Sequence, residues 1–112
     1  MKVGKDELIR LFELMRMRFY DEKAVKTFRG WSKTMQYYFP DLGELWYIDV
    51  SDGKPGEPME GKAENPSVYY EMNSDTFAAI ARKEITGMKA YMQGKVKVKA
   101  SMGDLMRLQK LD

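Results

Sequence analysis

The chain has 112 residues, 44% of them hydrophobic and 32% charged, enough for one domain with a single core and too little for two. It contains no cysteine and no histidine, which excludes disulfides, thiol nucleophiles, Ser-His-Asp triads and the usual zinc ligand sets. The net charge of +2 is unevenly spread, with +4 on residues 1–33, −7 on residues 41–75 and +5 on residues 82–112, a pattern that fits segments docking on one another and also a basic surface meeting an anionic head group.

Asp6 can cap a helix running to about Phe19, in which Leu8, Leu11, Phe12, Met15 and Phe19 recur at helical spacing. Ile9, Leu14 and Met17 widen that stripe, and Glu13, Arg16 and Arg18 are expected in water. Asp21 to Arg29 reads as a second short helix ended by Gly30. Lys33 to Phe39 and Glu44 to Val50 alternate as strands around the turn Pro40-Asp41-Leu42-Gly43 and predict an antiparallel hairpin. Met35, Tyr37 and Phe39 share one face of the first strand; Trp46, Ile48 and Val50 share one face of the second. Ser51-Asp52-Gly53-Lys54 is a tight turn, and residues 54–66, with three of the four prolines, read as a surface loop holding at most an edge-strand fragment.

Ser67 to Asn73 is a third strand with Val68, Tyr70 and Met72 inward. Ser74 is the expected cap of a helix carrying Phe77, Ile80, Ala81 and Ile85, with Asp75 in the first turn, where the dipole favours a negative charge. Met88 to Gln93 forms a short methionine-rich helical turn stopped by Gly94. Lys95 to Ala100 alternates Lys with aliphatic residues; without aromatics or arginines on the lysine face it is a solvated strand, not a nucleic-acid stripe. Ser101-Met102-Gly103-Asp104 has capping-box spacing before Leu105, Leu108 and Leu111. These elements predict an α+β domain of about four or five strands with helices largely on one face. No apolar run approaches the ~20 residues of a membrane span. MKVGKDELIRLFELM lacks the unbroken apolar core of a secretory signal, so a cytoplasmic location is expected.

Three segments, LWYIDVSDGK, SVYYEMNSDTFAAI and MKAYMQGKVKVKASMGDLMRLQKL, resemble the sterol carrier protein type-two family in order and spacing. The resemblance covers roughly residues 44–112 and extends to the N-terminal helices. It implies a single domain over residues 1–112: a five-stranded, mostly antiparallel sheet covered on one face by helices, enclosing an apolar tunnel. It also implies carrier activity toward fatty acids, fatty acyl-coenzyme A, phospholipids or sterols.

The residues themselves point the same way. The last forty positions hold more apolar residues than a helix needs to sit on a sheet, and methionine, present ten times, suits an adaptable lining. The candidate lining is Met35 and Trp46 from the sheet, with Phe77, Ile80 and Ala81 from the helix after Asn73. Met88, Tyr91 and Met92 join from the next turn, and Leu105 and Met106 from the last helix. Each alone is ordinary core; the set is the site. Lys83, Lys89 and Lys95 are candidates for meeting a head group at its mouth, although solvation is their ordinary role. The expected activity is non-catalytic binding and transfer of a small hydrophobic ligand. No cofactor, metal or nucleic acid is expected, and the basic ends allow peripheral contact with an anionic membrane surface. The alternative is an accessory domain that forms a homodimer or presents substrate to a lipid-metabolising enzyme. An enzymatic reading finds little support, because Asp49 and Glu71 alternate with inner-face residues and should point outward.

Overall fold

The computed structural model describes residues 2–112. Helix α1 (Lys5–Met17) continues through a 3-10 turn (Arg18–Tyr20) into α2 (Glu22–Thr27). Strands β1 (Lys33–Phe39), β2 (Glu44–Ser51), β3 (Lys54–Pro55), β4 (Met59–Glu60) and β5 (Val68–Glu71) follow. The chain ends with α3 (Ser74–Ala81), α4 (Gly87–Met92), β6 (Lys97–Lys99), α5 (Met102–Leu108) and a final 3-10 turn (Gln109–Leu111).

The sheet has six strands rather than the expected five. Its order is β3-β2-β1-β5-β6, with β4 also paired to β2. The additional strands come from the Pro-rich segment, where two-residue pieces add to the free edge of β2. Their brevity leaves no period for a sequence pattern to show. The hairpin forms as expected, and its register runs from Lys33↔Val50 to Phe39↔Glu44. Asp52 (φ 50°) and Gly53 (φ 74°) make the β2–β3 turn, as the primed hairpin turns require. Only glycine fits at position 53, because a Cβ there would sit 2.6 Å from the Phe28 carbonyl oxygen.

Strand β5 lies parallel to β1, with Met35↔Val68 and Tyr37↔Tyr70 as partners; every other pairing is antiparallel. A parallel neighbour requires a crossover, and residues 61–67 supply it across the sheet's outer face. Gln36 points outward as its alternation predicts, yet it is buried beneath this crossover. Its amide donates to the carbonyls of Trp46 (2.7 Å) and Gly61 (3.1 Å) and accepts from the Ala63 N–H (2.7 Å).

On the inner face, Phe12 of α1 packs against Tyr37, Phe39, Trp46 and Phe77, with ring centroids 4.8–6.1 Å apart. Three local expectations are corrected. Helix α1 begins one residue before Asp6, with Gly4 at its cap and Asp6 in the first turn. Arg16 and Arg18 are partly buried rather than in water. Ser74 is not the α3 cap: Asn73 holds that position, and Ser74 is fully buried. There its N–H and hydroxyl donate to Asp41 at 2.8 and 2.5 Å. The carboxylate of the β1–β2 turn thus satisfies the start of α3, and the hairpin and helix lock together.

Candidate functional site

Beside the aromatic cluster the core opens. A cavity of about 180 Å³ lies between the sheet and the C-terminal helices. Its floor is Met35, Tyr37, Ile48, Tyr70 and Val98. Met15 and Phe19 form one side, and Phe77 and Ile80 another. Its roof is Met88 and Tyr91 of α4 with Leu105, Leu108 and Leu111 at the C-terminal end.

The roof is held by polar contacts at three points. The Ser101 hydroxyl caps α5 by accepting from the Asp104 N–H at 3.1 Å. The Asp104 carboxylate does not complete the capping box. It is 1% exposed and accepts from Trp31 Nε1 (2.8 Å) and Lys33 Nζ (3.0 Å), tying α5 to the start of β1. Burial opposes its ionised form, but the hydrogen bonds from Trp31 and Lys33, the Lys33 charge and the bond with Ser101 outweigh it and hold the carboxyl below its ordinary value.

At the second point, the Asp112 side chain accepts from the N–H groups of Gly87 (2.8 Å) and Met88 (3.2 Å) at the start of α4. At the third, the Arg18 guanidinium donates to the Leu111 carbonyl (3.1 Å) and to the Ile80 and Ala81 carbonyls. Burial lowers the Arg18 pKa against the opposing pull of Asp112.

Six of the ten candidate residues come together on this wall: Met35, Phe77, Ile80, Met88, Tyr91 and Leu105. Four lie elsewhere. Trp46 is walled off by Phe12, and its Nε1 donates to Glu44. Ala81 lines a separate surface depression with Leu14, Met17 and Lys83. Met92 and Met106 are 77% and 62% exposed, because neither short helix has a second packed neighbour on that side. The wall contains none of Lys83, Lys89 and Lys95; its charged members are Arg16 and Asp112. Tyr37 and Tyr70 were legible as inner-face residues from strand alternation. Nothing in the sequence pattern marks Arg16 or Asp112. Asp49 and Glu71 sit on the outer face, Asp49 accepting from the Thr34 hydroxyl at 2.6 Å and Glu71 pairing with Lys97 at 3.5 Å.

The model of the SCP-2 sterol transfer family matches residues 12–111. The chain belongs to that family. It is 31% identical over 94 residues to hydroxysteroid dehydrogenase-like protein 2 of Xenopus tropicalis; the match takes in 81% of this chain and 21% of the relative. The family domain thus spans about a fifth of the curated relatives it matches. Sterol Carrier Protein 2 Like 2 from Aedes aegypti superposes with a TM-score of 0.71 at 20% identity, covering 97% of this chain and all of that one. Palmitated SCP2L2 from Aedes aegypti superposes with a TM-score of 0.68 at 20% identity, over 90% of this chain and 89% of that one. These structural likenesses establish a shared SCP-2 fold.

Proposed function

We propose that this SCP-2 domain binds a small hydrophobic, lipid-like molecule without transforming it, in the cavity beneath α4 and α5. The ligand class is fatty acid, fatty acyl-coenzyme A, phospholipid or sterol-like. The observation that carries this reading is the cavity itself, about 180 Å³ and mostly apolar. A ligand that occupies it gains about 0.8 kcal/mol for each methylene it buries there.

An apolar cavity of ~150 Å³ takes one benzene ring, so this one holds the end of a long apolar molecule. A tunnel for the remainder requires the roof of Leu105, Leu108 and Leu111 to shift, and the polar tethers allow that without breaking the aromatic cluster. Met35, Phe77, Ile80, Met88, Tyr91 and Leu105 are the proposed contacts. The palmitated relative supports an acyl ligand by likeness of fold. Native mass spectrometry of the purified protein, with titration of a fluorescent fatty acid, tests the reading. Copurified lipid or saturable binding is expected; a folded protein that shows neither overturns it.

A second reading, in which the domain presents a substrate to an enzyme, has one observation in its favour, the match to a fifth of a hydroxysteroid dehydrogenase-like protein. Light scattering that shows a concentration-dependent dimer would favour the accessory role. The basic residues Arg82, Lys83 and Lys110 beside exposed Leu14 and Met17 support peripheral contact with an anionic membrane, tested by cosedimentation with phosphatidylserine vesicles.

A further inference from the structure

Two tyrosines interrupt the apolar floor of the cavity. Tyr37 and Tyr70 are register partners on the parallel strands β1 and β5, so both side chains leave the same face of the sheet in the same direction. Their rings stack 5.1 Å apart at an interplanar angle of 24°. Neither hydroxyl is hydrogen-bonded among the described residues. Neither is among the side-chain atoms sealed in by packing without a partner, so both open onto the cavity that the two residues line. Burial raises both phenol pKa values, and for Tyr70 the neighbouring Tyr37 phenol and the Asp112 carboxylate add to the rise. Both therefore stay protonated at neutral pH and available as donors.

Phenylalanine would supply the same packing, as it does nearby at Phe12, Phe39 and Phe77. The hydroxyls bring a desolvation cost with no return from protein groups. Two adjacent donors suit an oxygen that accepts two hydrogen bonds. The surroundings select against a charged oxygen. The Asp112 carboxylate lies on the same wall, and the terminal nitrogens of Arg16, the cation on the wall, are already engaged by Glu13 (2.5 Å), Glu57 (3.8 Å) and the Pro55 carbonyl (3.3 Å).

We propose that the Tyr37–Tyr70 pair recognises a neutral acceptor oxygen, a carbonyl or hydroxyl, on an otherwise apolar ligand, and so selects oxygenated molecules over hydrocarbons of the same shape. This rests on the cavity being a ligand site. Butyrophenone and butylbenzene share a skeleton and differ in one carbonyl, so their affinities for the full chain, measured by calorimetry or chemical-shift titration, isolate the oxygen's contribution. In the Tyr37→Phe/Tyr70→Phe variant, the ratio of ketone to hydrocarbon affinity should fall about tenfold from its wild-type value, the usual scale for one well-made hydrogen bond. The single variants Tyr37→Phe and Tyr70→Phe should each give part of that fall, and their urea midpoints should not drop, because no protein partner is lost. If both probes bind and the ratio does not change, the tyrosine assignment is wrong while the binding site stands. A midpoint that drops in both single variants also overturns it, by showing that the hydroxyls serve the fold. If neither probe binds the folded wild type, the ligand site itself falls.

Discussion

The inner face of the sheet is filled at one end and hollow at the other, and the two halves are built differently. Around Phe12 four aromatic rings close the space, and α1, thirteen residues long, presents a continuous face to them. Over the hollow half lie two helices of six and seven residues. Their exposed outer sides carry Met92, Met102 and Met106, and hydrogen bonds accepted by the Asp104 and Asp112 carboxylates and donated by Arg18 hold them in place. Apolar packing is non-directional and resists removal. A few polar tethers fix position. The packed half is therefore expected to carry more of the stability than the hollow half.

The substitution that breaks this division most severely is Phe12→Ala. Phe12 is fully buried and touches four other rings, so its loss should cost about 3–5 kcal/mol, enough to unfold most of a marginally stable domain. Urea denaturation followed by tryptophan fluorescence measures it. A cost below about 1 kcal/mol would mean that the aromatic cluster is not the foundation of the fold.

Asp104→Ala comes next. It strips the acceptor from the buried Trp31 indole and the partner from Lys33, which is more than a third exposed. The expected cost is about 1–3 kcal/mol, mainly for the unsatisfied indole N–H, with hydrogen exchange accelerated in α5 and unchanged in α1. The pH dependence has a definite sign. The folded-state pKa of Asp104 lies below its ordinary value, so its contribution is complete above the unfolded pKa of about 3.9 and is lost as the pH falls through the lower folded value. Between pH 5 and 8 the wild-type advantage over the variant should be flat; a slope there would show that another group carries the effect.

How much of this division could be read from the sequence follows from the lengths of the elements. Strands β1 and β2 alternate over seven and eight residues, so their inner residues and their antiparallel pairing were legible. Strands β3 and β4, two residues each, had no period to detect, and Gln36 gave no hint that a crossover would bury it. Six of the candidate lining residues border the cavity. Met92 and Met106 do not, because a short helix offers several faces and the sequence does not say which one finds a neighbour. Trp46 lies on the inner face of the sheet but against Phe12, a matter of position along the strand that alternation cannot express. The roof tethers depend on Asp104 and Asp112 reaching groups 73 and 25 positions away, contacts that only the assembled fold creates.

The smallest effect on stability comes from adding volume in the hollow half, and it tests the comparison directly. Val68 and Val98 both face inward on neighbouring strands, but Val68 is fully buried in packed core whereas Val98 borders the cavity. Val68→Phe must displace its neighbours and should cost about 1–3 kcal/mol. Val98→Phe places the same added atoms in open space, so stability should change by less than about 0.5 kcal/mol, the range usual for surface substitutions, while binding of butylbenzene falls at least tenfold as the ring takes its place. Both variants are read by urea midpoint and by titration of that probe. Equal destabilisation by the two would mean that the space beneath α5 is already taken up by side chains in solution, and the contrast between the two halves would disappear.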